Sequence, residues 1–127
     1  MVTYCTDQRS LCQNTGSFIH IVCEYYGKTG SSCSMFSEVP LDDSNEDAIL
    51  HRINSMRAQA AHGETIGQEQ QKLPRAYGMK KVFWDSELAA FAKIMINQCI
   101  SRHRYSCAAS KNFATPMMVY AFANTTS

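Results

Sequence analysis

The stretch LPRAYGMKKVFWDSELAAFAKIMINQC, Leu73–Cys99, sets two kinds of backbone side by side. Pro74 breaks any helix arriving from upstream, and Met79–Trp84 reads as a short extended segment. Asp85 then stands where an N-cap is needed, its carboxylate able to accept from the first free N–H groups of a helix. Leu88, Phe91, Ala92, Met95 and Cys99 recur on one face of that helix, and Ala89 and Ile96 widen it. A face that wide predicts a helix buried on most sides.

A second helix is predicted upstream. Ser44 and Asp47 have the form of a capping box, and Asp42, Asp43 and Glu46 put negative charge at the positive helix end. Ile49, Ile53, Met56 and Ala60 follow at helical spacing, and Gly63 supplies a stop. Gly67–Lys72 is polar and loop-like. Downstream, MMVYAF (Met117–Phe122) reads as a buried strand. The segment before Val39 has weak periodicity and a turn signal at Lys28–Ser32, so Cys5, Cys12, Cys23 and Cys33 are expected to tie an irregular extension together.

Composition narrows the function classes. The 127 residues carry a net charge of +1, too little for a general nucleic-acid or anionic-membrane binder. Acids dominate before Ala48 and bases after it. No apolar run is long enough to span a bilayer. The six cysteines, separated by 6, 10, 9, 65 and 7 residues, form no zinc pattern. They read as three disulfides with fifteen possible pairings, hence as a secreted chain whose signal peptide lies outside this sequence.

Four histidines are candidates for chemistry. His51 and His62 are about 16 Å apart along a helix, too far to share an ion, and read as solvated. His20, in FIHIVC, reads as a partly exposed strand or loop residue. His103 lies between two cysteines in QCISRHRYSC, Gln98–Cys107, where Arg102 and Arg104 would repel a cation. Taken by its neighbours alone, it reads as structural or solvated. No nucleophile elbow, zincin, P-loop or dinucleotide fingerprint occurs, and paired cysteines leave no thiolate for catalysis. Asn124-Thr-Thr is a glycosylation sequon.

In combination, these pieces resemble the CAP superfamily of cysteine-rich secreted proteins, in its insect venom-allergen (antigen-five-like) branch. The resemblance is carried by Leu73/Pro74/Ala76/Met79, Trp84/Asp85/Leu88/Ala89 and Gln98/Cys99, by INSMRAQAAHGE (Ile53–Glu64), and by His20–Cys23 in the extension. It implies an α+β fold, an α-β-α sandwich of CAP type. The domain would be incomplete, with residues 1–40 a cysteine-rich extension and 41–127 the leading part of the CAP domain. It also implies the pairings Cys5–Cys23, Cys12–Cys107 and Cys33–Cys99. His103 matches the first histidine of the family's central cleft. Ile53, however, stands where the family's His-Asn pair has its histidine, Arg104 replaces an aspartate, and the signatures expected after Ser127 include the second cleft histidine.

No metal or catalytic set is therefore carried over, and no cofactor is expected. The resulting expectation is a monomeric secreted protein acting by binding, on a protein target or on a lipid or sterol held against Phe91, Met95 and Met56. The alternatives are a hydrolase or protease around His103, and a non-functional truncated remnant.

Overall fold

The computed structural model describes residues 4–6, 11–13, 19–99 and 107–114. Three helices occur among them: α1 (Ile21–Tyr25), α2 (Asp43–Ala61) and α3 (Ser86–Ile96). A 3-10 turn lies at Gln68–Gln70, and the β-pairing among the described residues is one antiparallel bridge between Ile66 and Lys72. The expected strand at Met117–Phe122 lies outside the described residues. No described helix is long and apolar enough to cross a membrane. The chain divides into two compact units.

One unit takes its described residues from Met1–Ser37 and Asp85–Ser127. Asp85 caps α3, accepting the Leu88 N–H at 2.9 Å, as its place in the sequence predicts. Phe91 and Met95 are buried with Ile21 and Ala108, and Tyr4, Val22, Tyr25 and Leu88 pack around them. Burying side chains of this size contributes about 1.5–3 kcal/mol each. A second buried group joins Cys12, Cys107 and Ala109.

Two expectations are corrected here. The extension, expected as an irregular segment tied together by its cysteines, contributes to the core, because its Ile21, His20 and Cys12 are among the most buried residues of the chain. And α3 is not buried on most sides: Ala92 and Ile96 are exposed, so the covered face narrows to Phe91 and Met95 with Leu88 beside them. Among the described helices α1 is the one packed on α3, and its five residues meet the side that carries Phe91 and Met95.

Three disulfides hold this unit: Cys5–Cys23, Cys12–Cys107 and Cys33–Cys99. Near the last of these the extension approaches the end of α3 closely. The Gly30 N–H donates to the Asn97 carbonyl at 2.9 Å, and a Cβ at Gly30 would run into the backbone carbonyl of Gln98. Gln98 is itself buried, its side-chain amide donating to the carbonyls of Lys28 and Ile94, both at 3.0 Å.

The second unit is Glu38–Trp84. Its helix α2 is capped by Asp42, which accepts the Asn45 N–H at 2.8 Å. The capping box expected at Ser44 does not form because α2 starts a turn-fraction earlier, at Asp43. The predicted stop at Gly63 is observed: at φ 73°, its N–H donates to Ala60 and the Glu64 N–H to Gln59. This crossed pair of bonds satisfies the last carbonyls of the helix. Glycine suits the site, since a side chain meets steric cost at positive φ. The polar loop then folds back, with the Leu73 N–H donating to Thr65 and the Gly67 N–H to Gln71.

No residue of this unit is fully buried. The stripe of Ile49, Ile53 and Met56, predicted as a core face, stands exposed. Polar contacts, caps and turns hold α2 where an apolar core was expected.

Candidate functional site

His103 and Asn124, the predicted cleft remnant and the sequon, lie outside the described residues. The cysteines flanking His103 are described. Cys99 is bonded to Cys33 and Cys107 to Cys12, and the Cys107 carbonyl accepts the Ile21 N–H at 2.9 Å. Both flanks of that segment are therefore fastened to the extension. His51 and His62 are exposed on α2 and at its C-cap, and His62 Nδ1 donates to the Ala58 carbonyl at 2.7 Å.

His20 is the histidine that sequence reasoning misplaced. It is fully buried, at 0% exposure. As the N-cap of α1, its Nδ1 accepts the Val22 N–H at 3.2 Å, while Nε2–H donates to the Ala109 carbonyl at 2.8 Å. Those two bonds fix one neutral tautomer. The ring stacks on Tyr4 at 4.8 Å and meets the Phe91 edge at 5.1 Å. Burial pushes its pKa below the usual histidine value, against the opposing pull of the Ala109 carbonyl and the Glu87 charge.

Tyr4 in turn donates to Glu87 Oε1 at 2.8 Å. Burial and the Glu87 carboxylate together push its pKa up to about 12. Glu87 also accepts the Lys111 N–H at 3.1 Å. With both ring nitrogens engaged inside the protein, His20 is a latch between α1 and residue 109.

The motif residues of α2 are also explained by backbone contacts. The Asn54 side chain accepts the Val82 N–H at 2.9 Å and donates to the Val82 carbonyl at 3.1 Å. Arg57 donates through Nε and a terminal nitrogen to the Lys80 carbonyl, at 3.0 and 2.6 Å. Together they clasp the extended segment along α2. Ile53, in the position the resemblance assigns to a cleft histidine, is 42% exposed and brings no polar atom. The Asn-x-x-Arg spacing was a visible signal for this clasp. Its target was not, because Lys80 and Val82 offer only backbone groups.

Among the described residues no three His, Cys, Asp or Glu side chains converge to hold a metal ion. A shallow groove of about 370 Å³ lies beside the C-terminus of α2, lined by His62, Arg75, Tyr77 and Met79 with Ala61 and Ala76. The Ala76 N–H donates to the Ala61 carbonyl at 3.2 Å and fastens one wall to the other.

A helix clasping an extended segment, a second capped helix, and an extension crosslinked to the end of it are the leading elements of one architecture. Residues 50–127 match the cysteine-rich secretory protein family, CAP, and the chain belongs to that family, with the α+β fold of the CAP sandwich. It is similar to venom allergen 3 of Solenopsis invicta, with 34% identity over 101 residues, 79% of this chain and 42% of the relative. Venom allergen 5 of Brachyponera chinensis is 29% identical over 89 residues, 69% of this chain and 45% of the relative. Scoloptoxin SSD43 of Scolopendra dehaani is 38% identical over 74 residues, 58% and 32%. The chain thus spans less than half the length of these relatives, and its place is in the venom-allergen-like branch.

Proposed function

We propose that this is an extracellular CAP-family protein that acts by binding rather than by catalysis. The observation that carries the reading is where its motif polar groups are spent. Asn54 and Arg57 give their hydrogen bonds to the backbone of Lys80 and Val82, and Ile53 occupies the position of a cleft histidine. An enzyme of this kind would need converging, unengaged acid–base groups. Placement outside the cell is supported by the pairing of all six cysteines, which suits an oxidising compartment. The target is a protein surface or a lipid. Phe91 and Met95 belong to the core, so a lipid would rest on the open face of α2, where Met56 is 54% exposed.

The test is to collect the native protein from its source fluid, extract bound lipid, and screen peptidase and esterase turnover with wild type and His103→Ala. Recovery outside the cell without turnover supports the proposal. Turnover abolished by His103→Ala would overturn it, as would recovery only from inside cells.

A further inference from the structure

Beyond the end of α2 the chain carries charge of one sign. Between Gln70 and Trp84 it has Lys72, Arg75, Lys80 and Lys81 and no Asp or Glu. All four side chains are exposed, and among the described residues none is held in an ion pair. Lys81 lies 5.9 Å from the ring of Phe83. The bonds from Ala76 to Ala61, from Arg57 to Lys80 and between Asn54 and Val82 lay this segment back along the second half of α2. From Ala48 to Gly63 the chain also lacks any acid, and of its basic residues Arg57 and His62 lie on this side of α2. Most acids of the unit lie elsewhere: Glu38 precedes α2, and Asp42, Asp43, Glu46 and Asp47 sit at its start, about 15 Å or more of helix from Arg57, while Glu64 and Glu69 belong to the hairpin that leads into the strip.

The near-neutral net charge of the chain conceals this local strip. Aromatic rings are interleaved with the cations: Tyr77 is 91% exposed and Phe83 81%. The groove between His62 and Arg75 is shallow, suiting a ligand that lies along a surface rather than one that is enclosed.

We propose that Lys72–Phe83, with Arg57 and His62 of α2, is a docking surface for a linear sulfated polysaccharide. The anchors at Ala61, Arg57 and Asn54 run the segment antiparallel to α2 over about 10 Å of helix, so Arg75, Lys80 and Lys81 lie beside Arg57 and His62 along that length, within reach of successive charges of such a polymer. Exposed tyrosine and phenylalanine faces offer flat apolar surface on which pyranose rings stack. Clustered Lys and Arg without acid partners gain affinity by releasing the counterions of a polyanion. The choice of a sulfated glycan over a nucleic acid rests on the extracellular reading above.

The experiment uses the full chain with its disulfides intact and measures binding to sulfated heparin oligosaccharides by surface plasmon resonance at two salt concentrations. The expected result is binding that weakens steeply with salt and falls about tenfold or more in Lys80→Ser/Lys81→Ser at about 0.15 M. Arg52→Ser lies on the opposite side of α2 from Asn54, Arg57 and Ala61 by helical geometry, and should change affinity less than about twofold by that reasoning. A loss in Arg52→Ser as large as the loss per charge removed in Lys80→Ser/Lys81→Ser would overturn the proposal, since net charge alone would then explain the binding. Undiminished binding to the desulfated oligosaccharide would overturn it too. Stronger competition by polyglutamate, duplex DNA or anionic vesicles would replace the glycan with an acidic protein, a nucleic acid or a membrane. Recovery of the protein only inside cells would overturn the extracellular reading and the glycan assignment, with polyanion affinity intact. An extracellular protein with no affinity for heparin would overturn this inference alone.

Discussion

Protonating His20 should weaken the crosslinked unit, and the structure sets the size of the effect. Neutral His20 satisfies two buried backbone groups at once, the Val22 N–H through Nδ1 and the Ala109 carbonyl through Nε2–H. A proton on Nδ1 would turn the acceptor into a second donor facing the Val22 N–H. That loses a cap worth about 1 kcal/mol and leaves a buried donor unsatisfied at about 1–3 kcal/mol. The groups around the ring oppose this only in part: Glu87 attracts the cation, while Tyr4 and Phe91 offer faces and edges.

The folded-state pKa is therefore lowered. An unfolded chain takes up the proton below about 6.5, whereas the native chain does not until lower pH. The stabilisation is complete above that pH and is lost as pH falls from there through the folded pKa, by at most about 1.4 kcal/mol per unit. Urea titrations of the oxidised protein across this range, for wild type and His20→Gln, isolate the contribution as the difference between the curves. Gln keeps a donor and an acceptor but does not titrate. If both proteins lose stability in parallel below neutrality, the buried-latch reasoning is wrong.

Three other outcomes follow from described contacts. Gly30→Ala forces a methyl group into the Gln98 backbone and should cost about 1–3 kcal/mol in chemical denaturation. Asn54→Ala leaves both the Val82 N–H and the Val82 carbonyl without their side-chain partner; hydrogen exchange should show loss of Val82 protection, with about 1–3 kcal/mol of destabilisation. In graded reduction with mass-tagged alkylation, Cys12 and Cys107, both fully buried, should be labelled last, after the pairs that include exposed Cys5 and Cys99.

What was legible in the sequence is what local chemistry decides. Asp85 and Gly63 could be placed because a cap and a stop depend on neighbours within a turn. The cap of α2 was placed too late because Asp42, Asp43 and Ser44 are all capable residues, and only the register chooses among them. His20 was hidden for the opposite reason. Its burial depends on Ala109, 89 residues away, and on Phe91, and no period in FIHIVC encodes them. The stripe on α2 announced a face suited to burial but not whether residues 38–84 would cover it. For the candidate site, the family resemblance marked the stretch Ile53–Glu64 that holds Asn54 and Arg57, yet the partners of these two are main-chain atoms that carry no sequence signature.

The crosslinks have a consequence in time as well as in space. Cys12 waits for Cys107, 95 residues later, and Cys33 for Cys99, 66 later, whereas Cys5 needs only Cys23, 18 later. At about 5–20 residues per second of synthesis, Cys12 spends roughly 5–20 s as a thiol before its partner exists. Until Cys99 is made, Cys5, Cys12, Cys23 and Cys33 have only one another to oxidise with, and just one of the possible pairs among them is native. The yield of correctly joined chain is thus a contest between translation and oxidation, and slowing the oxidant or supplying a disulfide isomerase should favour the native set.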